Sequence, residues 1–167
     1  MKNIYFFETQ IGRIGIAEEA NSITNVFFET DSNIKTQQYE ENFLQQSGLY
    51  LKKTALLTDA GKQLDDYLNG KSIAFDLPLA PKGTDFMKSV WNSLLTIPYG
   101  DTRSYKQIAE ALGNPKACRA VGMANNKNPI PIFIPCHRVI GTSGSLIGYG
   151  GGLKIKQKLL EIEKSIF

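Results

Sequence analysis

The spacing of apolar residues changes near residue 80, and this change most constrains the fold. Before it, three short segments alternate apolar and polar positions, which is typical of half-buried strands: residues 3–8, 12–18 and 22–29. After it, apolar residues recur at helical spacing. Residues 71–83 hold three of the breakers proline and glycine and indicate a linker. We therefore expect an α+β protein with a small antiparallel sheet and helices in residues 1–80 and a mainly helical domain in residues 81–167.

Two helices are predicted in the first domain. One lies around Gln37 to Gln46. The other begins at Thr58, because a threonine hydroxyl can accept from the free N–H groups of a helix start, and ends at Asn69-Gly70.

Four helices are predicted in the second domain, at residues 84–95, 104–113, 114–124 and 153–163. The second and third are short and meet at a tight turn around Gly113, which is typical of a helix-turn-helix. Pro115 places the start of the third at Asn114-Pro115, since proline is favoured in the first helical turn. A plain helical hairpin fits the same pattern.

The segment Pro135-Cys136-His137-Arg138 follows an apolar run and holds the only histidine of the 167 residues and one of two cysteines. The thiolate is the reactive form of cysteine, and cationic or basic neighbours favour it. The segment therefore indicates a nucleophilic cysteine. A buried cysteine that acts only as a small apolar side chain fits the same residues.

Charge is distributed unevenly along the chain. Residues 1–80 carry 7 lysines and arginines and 11 acidic residues, whereas residues 81–167 carry 12 and 5. The basic second half favours a polyanionic partner such as nucleic acid, with a solvated lysine-rich surface as the alternative.

Several classes of protein are disfavoured by what the sequence lacks. It has no run of eighteen apolar residues, and its N-terminus reaches charge too early for a signal peptide, so we expect no membrane association and a cytoplasmic location. Two cysteines in that compartment argue against a disulfide. One histidine and two cysteines are too few for a typical zinc site, and no phosphate-binding glycine loop is present, so we expect no metal and no cofactor.

Residues 86–163 carry a series of short motifs in order. These are Ser104-Tyr105, Gly113-Asn114-Pro115-Lys116-Ala117, Arg119-Ala120-Val121-Gly122, Asn128-Pro129, Ile134 to Ile140 and Tyr149-Gly150-Gly151-Gly152. Together they resemble the O6-alkylguanine-DNA alkyltransferases of the free-standing bacterial type, and residues 1–80 match that family more loosely. The resemblance implies a ribonuclease-H-like first domain of structural role and a second domain with a winged helix-turn-helix that binds DNA and transfers the alkyl group.

The resemblance also implies a reaction. The protein would act as a monomer on double-stranded DNA and move the alkyl group of O6-alkylguanine, and also of O4-alkylthymine, irreversibly to Cys136. His137 would act as base through a bound water, because neighbours in an extended segment point to opposite faces. Glu163 would orient His137, Tyr105 would assist the leaving guanine, and Asn128 would serve as a hinge.

Further positions take roles from the same resemblance. Arg119 would fill the stack after base flipping in the minor groove, although a phosphate contact is the plainer role for an arginine. Other DNA contacts would come from Ser104, Ala117, Ala120 and Gly122. The alkyl pocket would be lined by Pro131, Tyr149, Gly150 and Gly151.

This chain lacks two features that some members of the family carry, and three other functions are alternatives to alkyl transfer. Some relatives carry an N-terminal zinc and others a fused regulatory segment, and this chain has the residues for neither. Non-catalytic alkyltransferase-like proteins replace the acceptor cysteine, so the presence of Cys136 argues against a non-catalytic lesion-binding protein. A Cys-His hydrolase usually places its histidine far from the cysteine, and a plain DNA-binding regulator leaves the Cys136-His137 segment unexplained.

Overall fold

The computed structural model describes residues 1–28 and 37–165, with side chains omitted for residues 37–39. The chain forms two compact units, Met1–Ala80 and Pro81–Phe167.

A four-stranded sheet forms the centre of the first unit, in the order β3-β2-β1-β4. Its strands are β1 (Lys2–Thr9), β2 (Gly12–Glu19), β3 (Ser22–Phe28) and β4 (Leu49–Leu51). The first three are the predicted antiparallel meander. The fourth pairs parallel with β1 and was not predicted, because three residues are too short to show an alternating pattern.

Two helices pack in this unit, α1 (Gln37–Ser47) and α2 (Ala55–Leu68). The predicted cap of α2 at Thr58 is wrong, since Thr54 caps the helix by accepting from Leu57 N–H at 3.2 Å. Both threonines can cap, and the earlier start is the one that buries Leu57 completely. Gly61 lets α2 approach the sheet, because a Cβ there would lie 2.2 Å from the ring of Phe7.

Part of the predicted linker belongs to the first unit. Ile23 donates to Pro78 O and accepts from Ala80 N, each at 2.8 Å, so this stretch extends the edge of β3. The chain passes to the second unit directly after Ala80.

The second unit is mainly helical, with a short parallel pair of strands. Its elements are α3 (Asp85–Leu94), β5 (Arg103–Ser104), α4 (Tyr105–Ala111), α5 (Cys118–Asn126), a 3₁₀ helix (Cys136–Arg138), β6 (Val139–Ile140) and α6 (Leu153–Lys164). Trp91 of α3 is buried and donates from Nε1 to Ala124 O of α5 at 2.8 Å, which fixes α5 against α3.

The two helices of the predicted helix-turn-helix are α4 and α5. Ser104 caps α4 through a reciprocal capping box with Gln107, which agrees with the predicted start of this helix at residue 104. The predicted start of α5 at Asn114-Pro115 is wrong. Asn114 O accepts from Ala117 N at 3.0 Å, so these residues form a turn with proline at its second position, and α5 begins three residues later.

Candidate active site

A tightly wound segment leads into the cysteine. Asn128 is buried and ties the segment together, donating from Nδ2 to Ile134 O at 2.9 Å and accepting from Ile130 N at 3.0 Å. Between these contacts Ile132 has a φ of 74°, a conformation that costs a β-branched residue about 1–3 kcal/mol. Such strain persists only where the surroundings fix it, and Asn128 supplies that constraint.

Cys136 lies in the 3₁₀ helix rather than in an extended segment, so the expected strand geometry at Cys136 and His137 is wrong. In a 3₁₀ helix, neighbouring side chains still point in different directions, about 120° apart. The thiol is almost completely buried, and burial raises the pKa of Cys136 to about 11. Asn128, the Lys156 ammonium and the local backbone N–H groups lower this pKa in part.

The imidazole of His137 is fully buried against a carboxylate from α6. His137 Nε2 lies 2.8 Å from Glu163 Oε1. A carboxylate accepts, so Nε2 carries the proton in this contact and Nδ1 is the basic nitrogen. Burial lowers the pKa of His137, Glu163 opposes this effect, and the charges of Arg138 and Lys156 add to it. The resting group is a neutral imidazole.

Arg138 binds the same carboxylate. Its Nε lies 3.1 and 3.0 Å from the two Glu163 oxygens, and its Nη2 lies 2.8 Å from Oε1. Glu163 therefore contacts the two residues that follow Cys136, although it lies 26 residues from His137 and 25 residues from Arg138 in the sequence. A free thiol, an imidazole and a carboxylate therefore lie in or against one buried segment, and these are the residue types that nucleophilic catalysis uses.

Tyr105 stands at the start of α4 and faces the loop after the cysteine. Its hydroxyl donates to Ile147 O at 3.1 Å. Burial raises the pKa of Tyr105, a charge on Cys136 raises it further, and Asn125 lowers it. The phenol is therefore protonated at neutral pH and can donate. Gly122 of α5 packs beside this ring, where a Cβ would lie 3.7 Å away.

Lys156 is a functional candidate that the sequence reasoning missed. It is completely buried on α6, and its ammonium donates to Val139 O, Ile147 O and Gly148 O at 2.7, 2.9 and 3.4 Å. The lysine holds the loop that Tyr105 also contacts, and it brings positive charge near the thiol. Its spacing of seven residues before Glu163 puts both on one face of α6 and was visible in the sequence.

The other predicted site residues have varied environments. Arg119 and Ala120 are exposed on α5, and Ala117 and Ser104 are half-buried residues at the N-caps of α5 and α4. Pro131 and Gly151 are buried, Tyr149 is half-buried and Gly150 is exposed. Their DNA and alkyl-pocket roles stay predictions.

Cys118, on the first turn of α5, is a free, half-buried thiol, as Cys136 is a free, buried one. Within residues 1–28 and 37–165, no group of three or more histidine, cysteine or acidic side chains is arranged to hold a metal ion. The part of the chain that is described also contains no helix with the length and hydropathy of a membrane span.

Comparison with known proteins identifies the family. Residues 4–81 match the family model described as 6-O-methylguanine DNA methyltransferase, ribonuclease-like domain, and residues 85–165 match the DNA binding domain of the same methyltransferases. The chain belongs to the 6-O-methylguanine DNA methyltransferase family. This confirms the resemblance drawn from the motifs and the α+β fold class with a ribonuclease-like first domain.

Individual relatives agree over nearly the whole chain. The constitutive methylated-DNA–protein-cysteine methyltransferase of Bacillus subtilis is 45% identical over 158 residues, covering 94% of this chain and 92% of that protein. The crystal structure of O6-methylguanine methyltransferase from Mycobacterium tuberculosis has a TM-score of 0.86 at 43% identity, with 100% and 95% of the two chains covered. A structure of the M. tuberculosis OGT in complex with DNA has the same TM-score at 41% identity, with 98% and 94% covered.

Proposed function

We propose that this protein repairs DNA by transferring the alkyl group of O6-alkylguanine to Cys136. It acts as a methylated-DNA–protein-cysteine methyltransferase, and each molecule acts once, because the thioether product is not reversed. Family membership supports this reaction class. The observation that carries the assignment of residues is the buried contact between His137 and Glu163 beside a free cysteine.

The chemistry is a direct displacement at the alkyl carbon. The sulfur of Cys136 forms a bond to that carbon while the bond from the carbon to guanine O6 breaks, and the electron pair of that bond leaves with the guanine. The thiol proton passes to His137, through a bound water as the family resemblance implies. Because the resting thiol has a pKa of about 11, this proton has to be removed for the reaction.

Two further residues act on the base. Tyr105 supplies a hydrogen bond or a proton to the departing guanine, and its raised pKa keeps the donor protonated. Arg119, exposed on α5, fills the stack when the damaged nucleotide leaves it.

Asn128 holds the strained turn before Cys136 and so fixes where the thiol points.

The partner is double-stranded DNA, supported by the family's DNA binding domain and by the DNA complex of the M. tuberculosis relative. Action on O4-alkylthymine, a monomeric state and a cytoplasmic location stay predictions, as does the expectation that no metal or cofactor takes part.

The decisive experiment follows label from DNA to protein. A duplex carrying radiolabelled O6-methylguanine is incubated with the wild type, with Cys136→Ala and with Cys118→Ala as the matched cysteine control. We expect one label per molecule for the wild type and Cys118→Ala, and none for Cys136→Ala, which still binds DNA. Label on Cys136→Ala refutes the acceptor, and lesion binding by the wild type without label would identify a non-catalytic lesion binder.

A further inference from the structure

We propose that Arg138 is a positioning residue, which neutralises the Glu163 carboxylate so that His137 rests as an uncharged base. This inference rests on the proposed function, since it concerns the base of that reaction. It gives Arg138 a role in the chemistry in addition to its ion pair with Glu163.

The geometry of Arg138 is that of a fixed group. Three of its N–H···O contacts reach the two oxygens of Glu163, and Nη1 donates to Ile97 O at 2.8 Å. The guanidinium also lies 5.6 Å from the ring centroid of Tyr99. Because these contacts come from several directions, the planar guanidinium fixes both the position and the rotation of the carboxylate.

Charge balance gives the reason for an arginine at this place. His137 sits 2.8 Å from a buried carboxylate, and an uncompensated anion at that distance favours imidazolium. An imidazolium cannot accept the proton of Cys136. Arg138 offsets the charge of Glu163, whose Oε1 still accepts from His137 Nε2.

In the described part of the chain, the charged and titratable groups around His137 come from α6 and from the 3₁₀ helix. Glu163 and Lys156 come from α6, and Cys136 and Arg138 flank the histidine in the 3₁₀ helix. Tyr99, next to the arginine, has a pKa raised chiefly by burial and is neutral. Among these groups Arg138 is the cation in direct contact with Glu163, and its charge also lowers the pKa of His137.

The experiment is a titration of His137 by NMR, which is unambiguous because the chain has one histidine. The imidazole signals of the wild type, Arg138→Met and Arg138→Lys are followed against pH in the folded proteins. We expect the midpoint to rise in Arg138→Met and to stay near the wild-type value in Arg138→Lys, which keeps the charge. An unchanged or lower midpoint in Arg138→Met overturns the proposal.

A second pair guards against loss of folding in Arg138→Met, where a buried carboxylate is left unpaired. Glu163→Gln and the double variant Arg138→Met/Glu163→Gln differ only in the arginine, and neither leaves that carboxylate behind. The midpoint is expected to be higher in the double variant, since it lacks the cation. Equal midpoints in this pair overturn the proposal as well.

Single-turnover alkyl transfer then links the titration to the reaction. Where His137 must be neutral, each pH unit by which its midpoint rises slows transfer about tenfold on the acid side of the profile. The pH profile of Arg138→Lys is expected to keep its position. A wild type that transfers no alkyl group contradicts the proposed function, whereas the NMR result judges the role of Arg138 independently of it.

Discussion

The buried thiol of Cys136 should be almost inert toward small alkylating reagents in the absence of DNA. The probe is Cys118→Ala, in which Cys136 is the single cysteine of the chain. Its matched control is the same variant in denaturant, where the thiol regains its ordinary pKa. The comparison isolates the effect of the folded environment on the rate at which the Cys136 thiol is alkylated.

The magnitude follows from the pKa. Folding raises the pKa of Cys136 from 9.0 to about 11, so the folded protein holds about 100-fold less thiolate at neutral pH than the unfolded chain. Only the thiolate reacts, so alkylation of the folded protein is expected to be at least about 100-fold slower. The limited access to a buried sulfur adds a factor that does not depend on pH.

The assay measures the rate of iodoacetamide modification by mass spectrometry across the range of pH in which the protein stays folded. We expect the rate to rise about tenfold per pH unit up to pH of about 10, with no plateau. A plateau below pH of about 9 would show a thiolate stabilised in the resting site and would refute the reasoning from burial.

Three further predictions concern the surrounding residues. Arg119→Ala should slow repair in duplex DNA far more than reaction with free O6-benzylguanine, because a free base needs no flipping, whereas Tyr105→Phe should slow both reactions. If single-turnover assays show that Arg119→Ala slows both reactions equally, its role in base flipping is contradicted. Lys156→Met should lower the free energy of unfolding, measured in urea, by about 2 kcal/mol or more, because it loses hydrogen bonds from a charged donor to Val139 O and Ile147 O. Lys158→Met, at an exposed position of α6, is the control. Similar losses in the two variants would be inconsistent with a role of Lys156 in anchoring the loop that contains Ile147. The pKa of His137 in the folded protein lies below its ordinary value of 6.5, so the unfolded chain binds a proton more readily than the folded chain. The free energy of unfolding should therefore be fully retained above pH 6.5 and fall below it by up to about 1.4 kcal/mol per pH unit. His137→Gln should remove this pH dependence, and an unaltered slope in that variant argues against a buried neutral imidazole.

Local patterns in the sequence predicted the elements with regular repeats. The three strands of the meander, α3, α4 and α6 were recognised because each has a clear hydrophobic period or a cap. Two of the errors occurred where two local structures suit the same residues. Thr54 and Thr58 can both cap α2, and Pro115 suits both a helix start and a turn.

The sequence by itself also determined the kind of chemistry. A lone histidine beside a cysteine, within an ordered set of motifs, indicated the family and the acceptor residue. These conclusions depend on residue identity and order, which need no information about packing. They extend to Glu163 only through the resemblance, since nothing in the local pattern connects it with residue 137.

The tertiary structure decided how the buried charges are balanced. Folding brings α6 against the 3₁₀ helix, where Glu163 meets both His137 and Arg138, and it encloses Lys156 among backbone carbonyls. Periodicity predicts which face of a helix is buried but not which distant group lies opposite. A charged side chain is tolerated in the interior only with partners, and those partners exist only once segments distant in sequence have packed together.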